Sequence, residues 1–199
     1  MRKTIQQLIK FFKADNRTIV FYSKEDPPNY SIFIDIAKQC DIVFTTAAEI
    51  ISNYQLDCQH ERVYLLEFGF NPVYNNPINR QRPGKDELVV FAGSWYAKYP
   101  HRQKDTMRIF DDVIQSGGEN LKIIDRNYQR NHPNYLFPIK YLPFLSPSID
   151  HASIQKLSML HSWMVNLNSI QDSPTMFASR IFELQGMGNL ILSNYSNGG

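Results

Sequence analysis

The chain is poor in several features that would classify it quickly. It has two cysteines in 199 residues, Cys40 and Cys58. Their spacing fits neither a disulfide framework nor a zinc site, so both read as thiols buried in a reducing compartment. The histidines, His60, His101, His132, His151 and His161, show no metal-binding spacing such as HxxxH, so no metal site is expected. There is no nucleophile elbow and no Ser/His/Asp arrangement. Charge of one sign is missing too. Lys and Arg number 21 against 19 Asp and Glu, for a net charge of +2. That leaves no broad basic field, and nucleic acid is excluded as a partner. No long hydrophobic run is present. The opening "MRKTIQQLIKFFKADN" is broken by Gln and Lys and is neither a signal peptide nor a membrane span. The expected location is therefore the cytoplasm. Low-complexity tracts and repeats at solenoid periods are also lacking.

What is there is an ordinary globular composition, 43% hydrophobic and 20% charged. It suits one domain, or two small lobes sharing a cleft. The opening segment places Leu8, Ile9 and Phe12 among Lys3, Lys10 and Lys13. This is an amphipathic helix, read as packing on a sheet, with a membrane surface as the other place for the same pattern.

Apolar, β-branched-rich runs recur along the chain. They are "TIVFYS" (18–23), "DIVFTT" (41–46), "RVYLLEF" (62–68), "LVVFAGS" (88–94), "LKIIDR" (121–126), "WMVNLN" (163–168) and "LILSNY" (190–195). Continuous runs of this kind suit parallel strands buried on both faces. Helical patterns lie between them. Residues 29–39 follow the turn-forming "EDPP", and residues 101–116 end at the C-cap signal Gly117–Gly118. The alternation predicts an α/β fold with parallel, doubly wound sheets. One aperiodic stretch, 69–87, is rich in Pro, Asn and Gly and reads as a linker. The expected domains are a partial N-terminal lobe over 1–70, a linker over 71–86 and a C-terminal lobe over 87–199. The first has three strands at most and the second ends right after a strand, so the expectation is a chain truncated at both ends.

Ligands of parallel sheets bind beyond the carboxyl ends of the strands, so residues there are the candidates. "KEDP" puts Lys24, Glu25 and Asp26 after the first run; the paired acids suit general-base work, or a turn and helix cap. Thr45 and Thr46 after the second run line a cleft edge or cap the next helix. "GSWYAKYPHR" offers Gly93, Ser94, Lys98 and Arg102, a plausible diphosphate loop without the glycine spacing of a Walker or dinucleotide motif. Arg126 follows the fifth run. After the sixth comes "SIQDSPTMFASRIFE". Ser173 or Thr175 would cap a helix with Phe177, Ile181, Leu184 and Gly188 on its inner face. Met176, Ser179, Arg180 and Glu183 would share the outer one. On these residues alone, Arg180 and Glu183 are either a phosphate and ribose site or a surface pair three residues apart.

Taken together, "KEDP", "DIVFTTAAE", "FGFNPVYNNPI", "FAGSWYAKYPHR", "IIDRNY" and "SPTMFASRIFE" with the later "LSNYS" resemble the bacterial group-1 glycosyltransferases related to spore-maturation glycosyltransferases. The resemblance runs over about 18–196. It implies a GT-B architecture of two Rossmann-like lobes, the second holding a nucleotide-diphosphate sugar. It implies no metal and no cofactor beyond that donor. In it Gly93, Ser94 and Lys98 line the pyrophosphate loop, with Arg102 and Arg126 beside it. Arg180 and the amides around Phe177–Ser179 meet the phosphates. Glu183 matches the second acid of a Glu-x7-Glu pattern and holds the ribose, whereas Thr175 stands at the first acid. The acceptor would be a glycan, glycolipid or protein. Peripheral association with the inner membrane face, a homo-oligomer and a partner subunit accompany this reading. The alternatives are a non-catalytic nucleotide-sugar-binding or partner module, and an unrelated doubly wound domain.

Overall fold

The computed structural model describes residues 2–78 and 86–198. The chain forms two compact units. Met1–Phe68, Ile170–Phe177 and Ser196–Gly199 make up the first, and Gly69–Ser169 with Ala178–Tyr195 the second. The architecture is α/β, with two sheets whose described strand pairs are all parallel. No described helix is long and apolar enough to cross a membrane.

In the first unit α1 (Arg2–Ala14) precedes β1 (Val20–Ser23), α2 (Tyr30–Ala37), β2 (Ile42–Thr45), α3 (Ile51–Cys58) and β3 (Val63–Leu65). The sheet runs β1-β2-β3, with Val20 opposite Ile42 and Val43 opposite Val63. Parallel neighbours need crossovers, which α2 and α3 supply. The core is Ala37, Val43, Ala47, Ile50, Tyr54 and Val63. The expected apolar packing of α1 holds for Ile9, which is buried against Ile36 and Cys40. Leu8, Phe11 and Phe12 are exposed. The helix is held by its basic side instead. Lys13 Nζ lies 3.0 Å from Asp41, and Arg2 pairs with Asp35 and donates to the Ile32 carbonyl. Cys40 is buried and Cys58 half-buried; burial pushes the Cys40 thiol up to about 11.

The second unit holds β4 (Asp86–Gly93), α4 (Pro100–Gly117), β5 (Leu121–Asp125), β6 (Leu145–Ser146), α5 (His151–Leu160), β7 (His161–Asn166), α6 (Arg180–Gly186) and β8 (Leu190–Ser193). Strand order is β6-β5-β4-β7-β8. Alternate residues of β4 face opposite ways. Phe91 joins Phe110, Ile123, Tyr141 and Val165 on one side of the sheet. Val90 and Ala92 join Ile124, Met164 and Leu184 on the other. Both faces are covered, which is why the strand reads as an unbroken apolar run. Proline at the first helical position of α4 fits the missing N–H there. At its other end Gly118, with φ +66°, donates its N–H to the Ile114 carbonyl at 2.9 Å.

Three features depart from the sequence expectation. The helix expected from Ser173 or Thr175 begins only at Arg180. Ser173 Oγ instead accepts from the Met176 N–H at 2.9 Å, which closes a turn. The two-residue β6 lies in the Pro-flanked "LPFLSPS", too short a run to be seen as a strand. The described part of the stretch read as a linker, 71–78, belongs to the second unit; 79–85 lie outside the described residues.

Candidate functional site

The carboxyl end of β4 is where the cationic candidates meet. Three consecutive carbonyls there accept hydrogen bonds from three arginines. Ala92 O accepts from Arg180 Nη1 at 2.7 Å. Gly93 O accepts from the Arg126 backbone N–H at 2.9 Å. Ser94 O accepts from Arg102 Nη1 at 3.0 Å. Gly93, Ser94, Arg102, Arg126 and Arg180 are thus gathered at one strand end. A Cβ on Gly93 would lie 2.5 Å from Phe91 Cζ, so the turn needs glycine for close approach of that ring.

The cationic groups at this strand end are held away from solvent. Arg102 is 6% exposed, and its Nε has no hydrogen-bond partner. The hydroxyl of Ser94 is likewise buried and unpartnered. No carboxylate among the described residues pairs with Arg102 or Arg180; the Tyr96 ring lies 5.3 Å from the Arg102 guanidinium. Burial holds both guanidinium groups below the usual arginine value, although both stay charged at neutral pH. For Arg180, the Glu183 carboxylate opposes that shift and the Arg126 cation adds to it. Each guanidinium is instead held by a backbone carbonyl of the strand end, Arg102 by Ser94 and Arg180 by Ala92. Glu183 sits in the first turn of α6 and forms no ion pair with Arg180 among the described residues, so the ordinary surface pair is not made.

Residues that sequence reasoning missed fix the entry to α6. Asn168 Oδ1 accepts from the Ala178 N–H at 2.9 Å and from Asn166 Nδ2 at 3.3 Å. Asn194 Oδ1 accepts from the Asn168 N–H at 2.7 Å, and Asn194 Nδ2 donates to Asp105 at 3.1 Å. All three asparagines are buried. The only signal was their position in "VNLNS" and "LSNYS", polar residues closing apolar strands. Asn168→Leu should strand the Ala178 N–H and cost about 1–3 kcal/mol. Hydrogen exchange would show the Ala178 amide losing protection before the centre of β7 does.

The remaining candidates fall elsewhere. Lys98 is exposed, its Nζ 5.0 Å above the Tyr99 ring. Ser179 is the N-cap residue of α6 but makes no side-chain cap bond. Thr175 and Phe177 belong to the first unit. There Thr175 Oγ1 donates to the Thr46 carbonyl and accepts from the Ala48 N–H, both at 2.9 Å. That hydroxyl holds its segment onto the first unit. Glu25 is exposed at the end of β1. Asp26 has no accessible surface; its carboxylate accepts from Thr45 Oγ1 at 2.6 Å and from Tyr54 OH at 3.1 Å. A carboxylate enclosed in this way braces Thr45 and Tyr54 within the first unit. No described cluster of three or more His, Cys, Asp or Glu could hold a metal.

No family model matches the chain, and no curated protein matches it in sequence. Solved structures do match it. The Anabaena protein HepE (Alr3699), solved in complex with UDP and glucose, aligns over 100% of this chain with a TM-score of 0.58 and 12% identity. A glycosyltransferase from Rickettsia africae aligns over 98% with a TM-score of 0.56, again at 12% identity. The fold is one that a glycosyltransferase uses. This chain spans 58% of the first of those chains and 62% of the second. Open parallel sheets bind ligands beyond the carboxyl ends of their strands, and in this chain Arg102, Arg126 and Arg180 meet at such an end.

Proposed function

We propose that this chain holds a nucleotide-diphosphate sugar in its second unit and acts as the donor-binding part of a glycosyltransferase. The observation that carries the reading is the convergence of Arg102, Arg126 and Arg180 on β4, with Glu183 one turn into α6. Arg180 and Arg126 would face the two phosphates, with Lys98 contributing from the loop. Glu183 would accept hydrogen bonds from the ribose diol. As the glycosidic bond breaks, negative charge grows on the leaving diphosphate, and fixed cations offset it without a metal. The nucleotide sugar is the substrate, and no other cofactor is invoked. A glycan, glycolipid or protein would accept the sugar. The exposed apolar residues of α1 support placing the protein at a membrane surface.

A second reading has its own support. Thr175 stands where the resembling family carries its first acid, and its hydroxyl is engaged by the first unit. With Asp26 enclosed as well, a non-catalytic nucleotide-sugar-binding module fits these residues.

Thermal unfolding with UDP, ADP, GDP and their sugar conjugates tests donor binding. A nucleotide at a hundredfold excess over its Kd should add about 2.7 kcal/mol of stability. No shift with any of them sinks both readings. A shift without sugar release in the presence of acceptors selects the binding module.

A further inference from the structure

The loops after β4 and β5 carry a second group of side chains, beyond the strand-end carbonyls. Four rings stand in a row there. Tyr99 lies 6.2 Å from Tyr96, Tyr96 5.8 Å from Tyr135, and Tyr135 5.7 Å from His132, centroid to centroid. A cation accompanies each tyrosine. Lys98 Nζ is 5.0 Å from the Tyr99 ring, the Arg102 guanidinium 5.3 Å from that of Tyr96, and the Arg130 guanidinium 5.9 Å from that of Tyr135. We propose that this row binds an acidic glycan, with sugar faces on the rings and carboxylates at Arg130 and His132. The binding site stands on these residues alone; naming its ligand as the acceptor rests on the glycosyl-transfer reading above.

The row is fixed from below and from the side. Trp95 and Phe137, one from each loop, lie 5.5 Å apart in the core of the second unit. The Ala97 N–H donates to the Asn134 carbonyl at 2.9 Å and ties the two loops together. Gln103 Nε2 donates to the Tyr96 carbonyl at 2.9 Å. His132 Nδ1 accepts from the Asn134 N–H at 3.2 Å, which leaves the ring proton on Nε2 as a donor. Tyr96, Tyr99 and Tyr135 are half-buried, while Arg130 and His132 are exposed.

The ligand chemistry follows from what surrounds the rings. Residues 94–104 and 126–135 include Lys98, Arg102, Lys104, Arg126 and Arg130 and no Asp or Glu. None of these cations forms an ion pair among the described residues. A ring holds an exposed cation only weakly. Arg130 can therefore turn its fork of N–H donors to a carboxylate at little cost. The negative face of a tyrosine attracts the polarised C–H bonds of a sugar ring. Gln129, Asn131 and Asn134 are exposed on the same loop, and carboxamides both donate to and accept from hydroxyls. Single-stranded nucleic acid also uses rings and cations, but stacks successive bases on them. Here Tyr96 meets Tyr99 at 83° and Tyr135 at 77°, so neighbouring rings are edge-on. Edge-on rings among amides suit sugars, each docked on its own ring, better than a run of bases.

The test is calorimetric titration of the whole chain with oligogalacturonate, with a neutral maltooligosaccharide of the same length and with oligodeoxythymidylate. Wild type should bind oligogalacturonate about tenfold or more tightly than either of the others. Arg130→Ala and Tyr135→Ala should each lose about tenfold of that affinity, the cost of one charge-assisted contact or one ring. Arg130 is exposed, so its replacement should leave the fold intact and covers the case in which Tyr135→Ala fails to fold. UDP affinity should be unchanged in Arg130→Ala. Absence of oligogalacturonate binding, equal binding of the neutral sugar or of oligodeoxythymidylate, or full affinity in Arg130→Ala would each overturn the assignment. Failure of wild type to bind UDP would overturn the donor reading, and with it the acceptor role, while oligogalacturonate binding would still decide the site itself.

Discussion

Arg180→Ala is expected to bind UDP roughly 10- to 150-fold more weakly than wild type, the range for one lost charge-assisted contact. The stability of the second unit should change far less. Arg180 has five N–H donors. One goes to the Ala92 carbonyl at 2.7 Å, which orients the guanidinium at the end of β4. No described residue forms an ion pair with the side chain. Its position is thus set by the backbone, and under the proposed function its charge meets the phosphates. Arg180→Lys should recover only part of the affinity, because an ammonium cannot hold the carbonyl and two phosphate oxygens in one plane. Calorimetric titration with UDP and with pyrophosphate reads the loss, and urea unfolding reads the stability. Equal loss for both ligands places the side chain on the phosphates. If Arg180→Ala binds UDP within twofold of wild type, the arginine only clamps the strand and the donor site lies elsewhere.

The strands of the second unit were legible because its central sheet is packed on both faces, so β4 is a continuous apolar run; in the first unit β1 and β3 stay apolar although Val20, Tyr64 and Leu65 are exposed. All seven runs contain a strand, and the helix ending at Gly117–Gly118 ends there for the capping reason foreseen. The site was legible only in part. Arginines after apolar strands could be named, since their place follows from the parallel topology. Their shared grip on Ala92, Gly93 and Ser94 could not, because it depends on residues as far apart as Ala92 and Arg180. The contacts of Thr175 were hidden for the same reason. Its partners, Thr46 and Ala48, are more than 120 residues away. A hydroxyl near a helical pattern looks like a cap, and only the fold shows that it holds a returning segment.

Asp26 offers the sharpest separation between a catalytic and a structural carboxylate. With no accessible surface, it accepts hydrogen bonds from Thr45 at 2.6 Å and from Tyr54 at 3.1 Å. Tyr54 is itself fully buried in the core of the first unit. Burial, above all, and the nearby carboxylate raise the tyrosine hydroxyl above its ordinary value, so it stays protonated as the donor. Asp26→Ala removes the common acceptor of both hydroxyls. Two buried donors then lack a partner, and the loss should be about 2–4 kcal/mol. Asp26→Asn keeps one oxygen acceptor in the same shape and should cost less. Nucleotide affinity, which the proposed donor site places in the second unit, should be unchanged in any Asp26 variant that folds. A catalytic base would behave in the opposite way. Asp26→Asn would abolish turnover at full stability, and Asp26→Ala would stabilise the fold by removing a buried charge. Urea midpoints for the two variants, measured beside UDP binding, decide between brace and base.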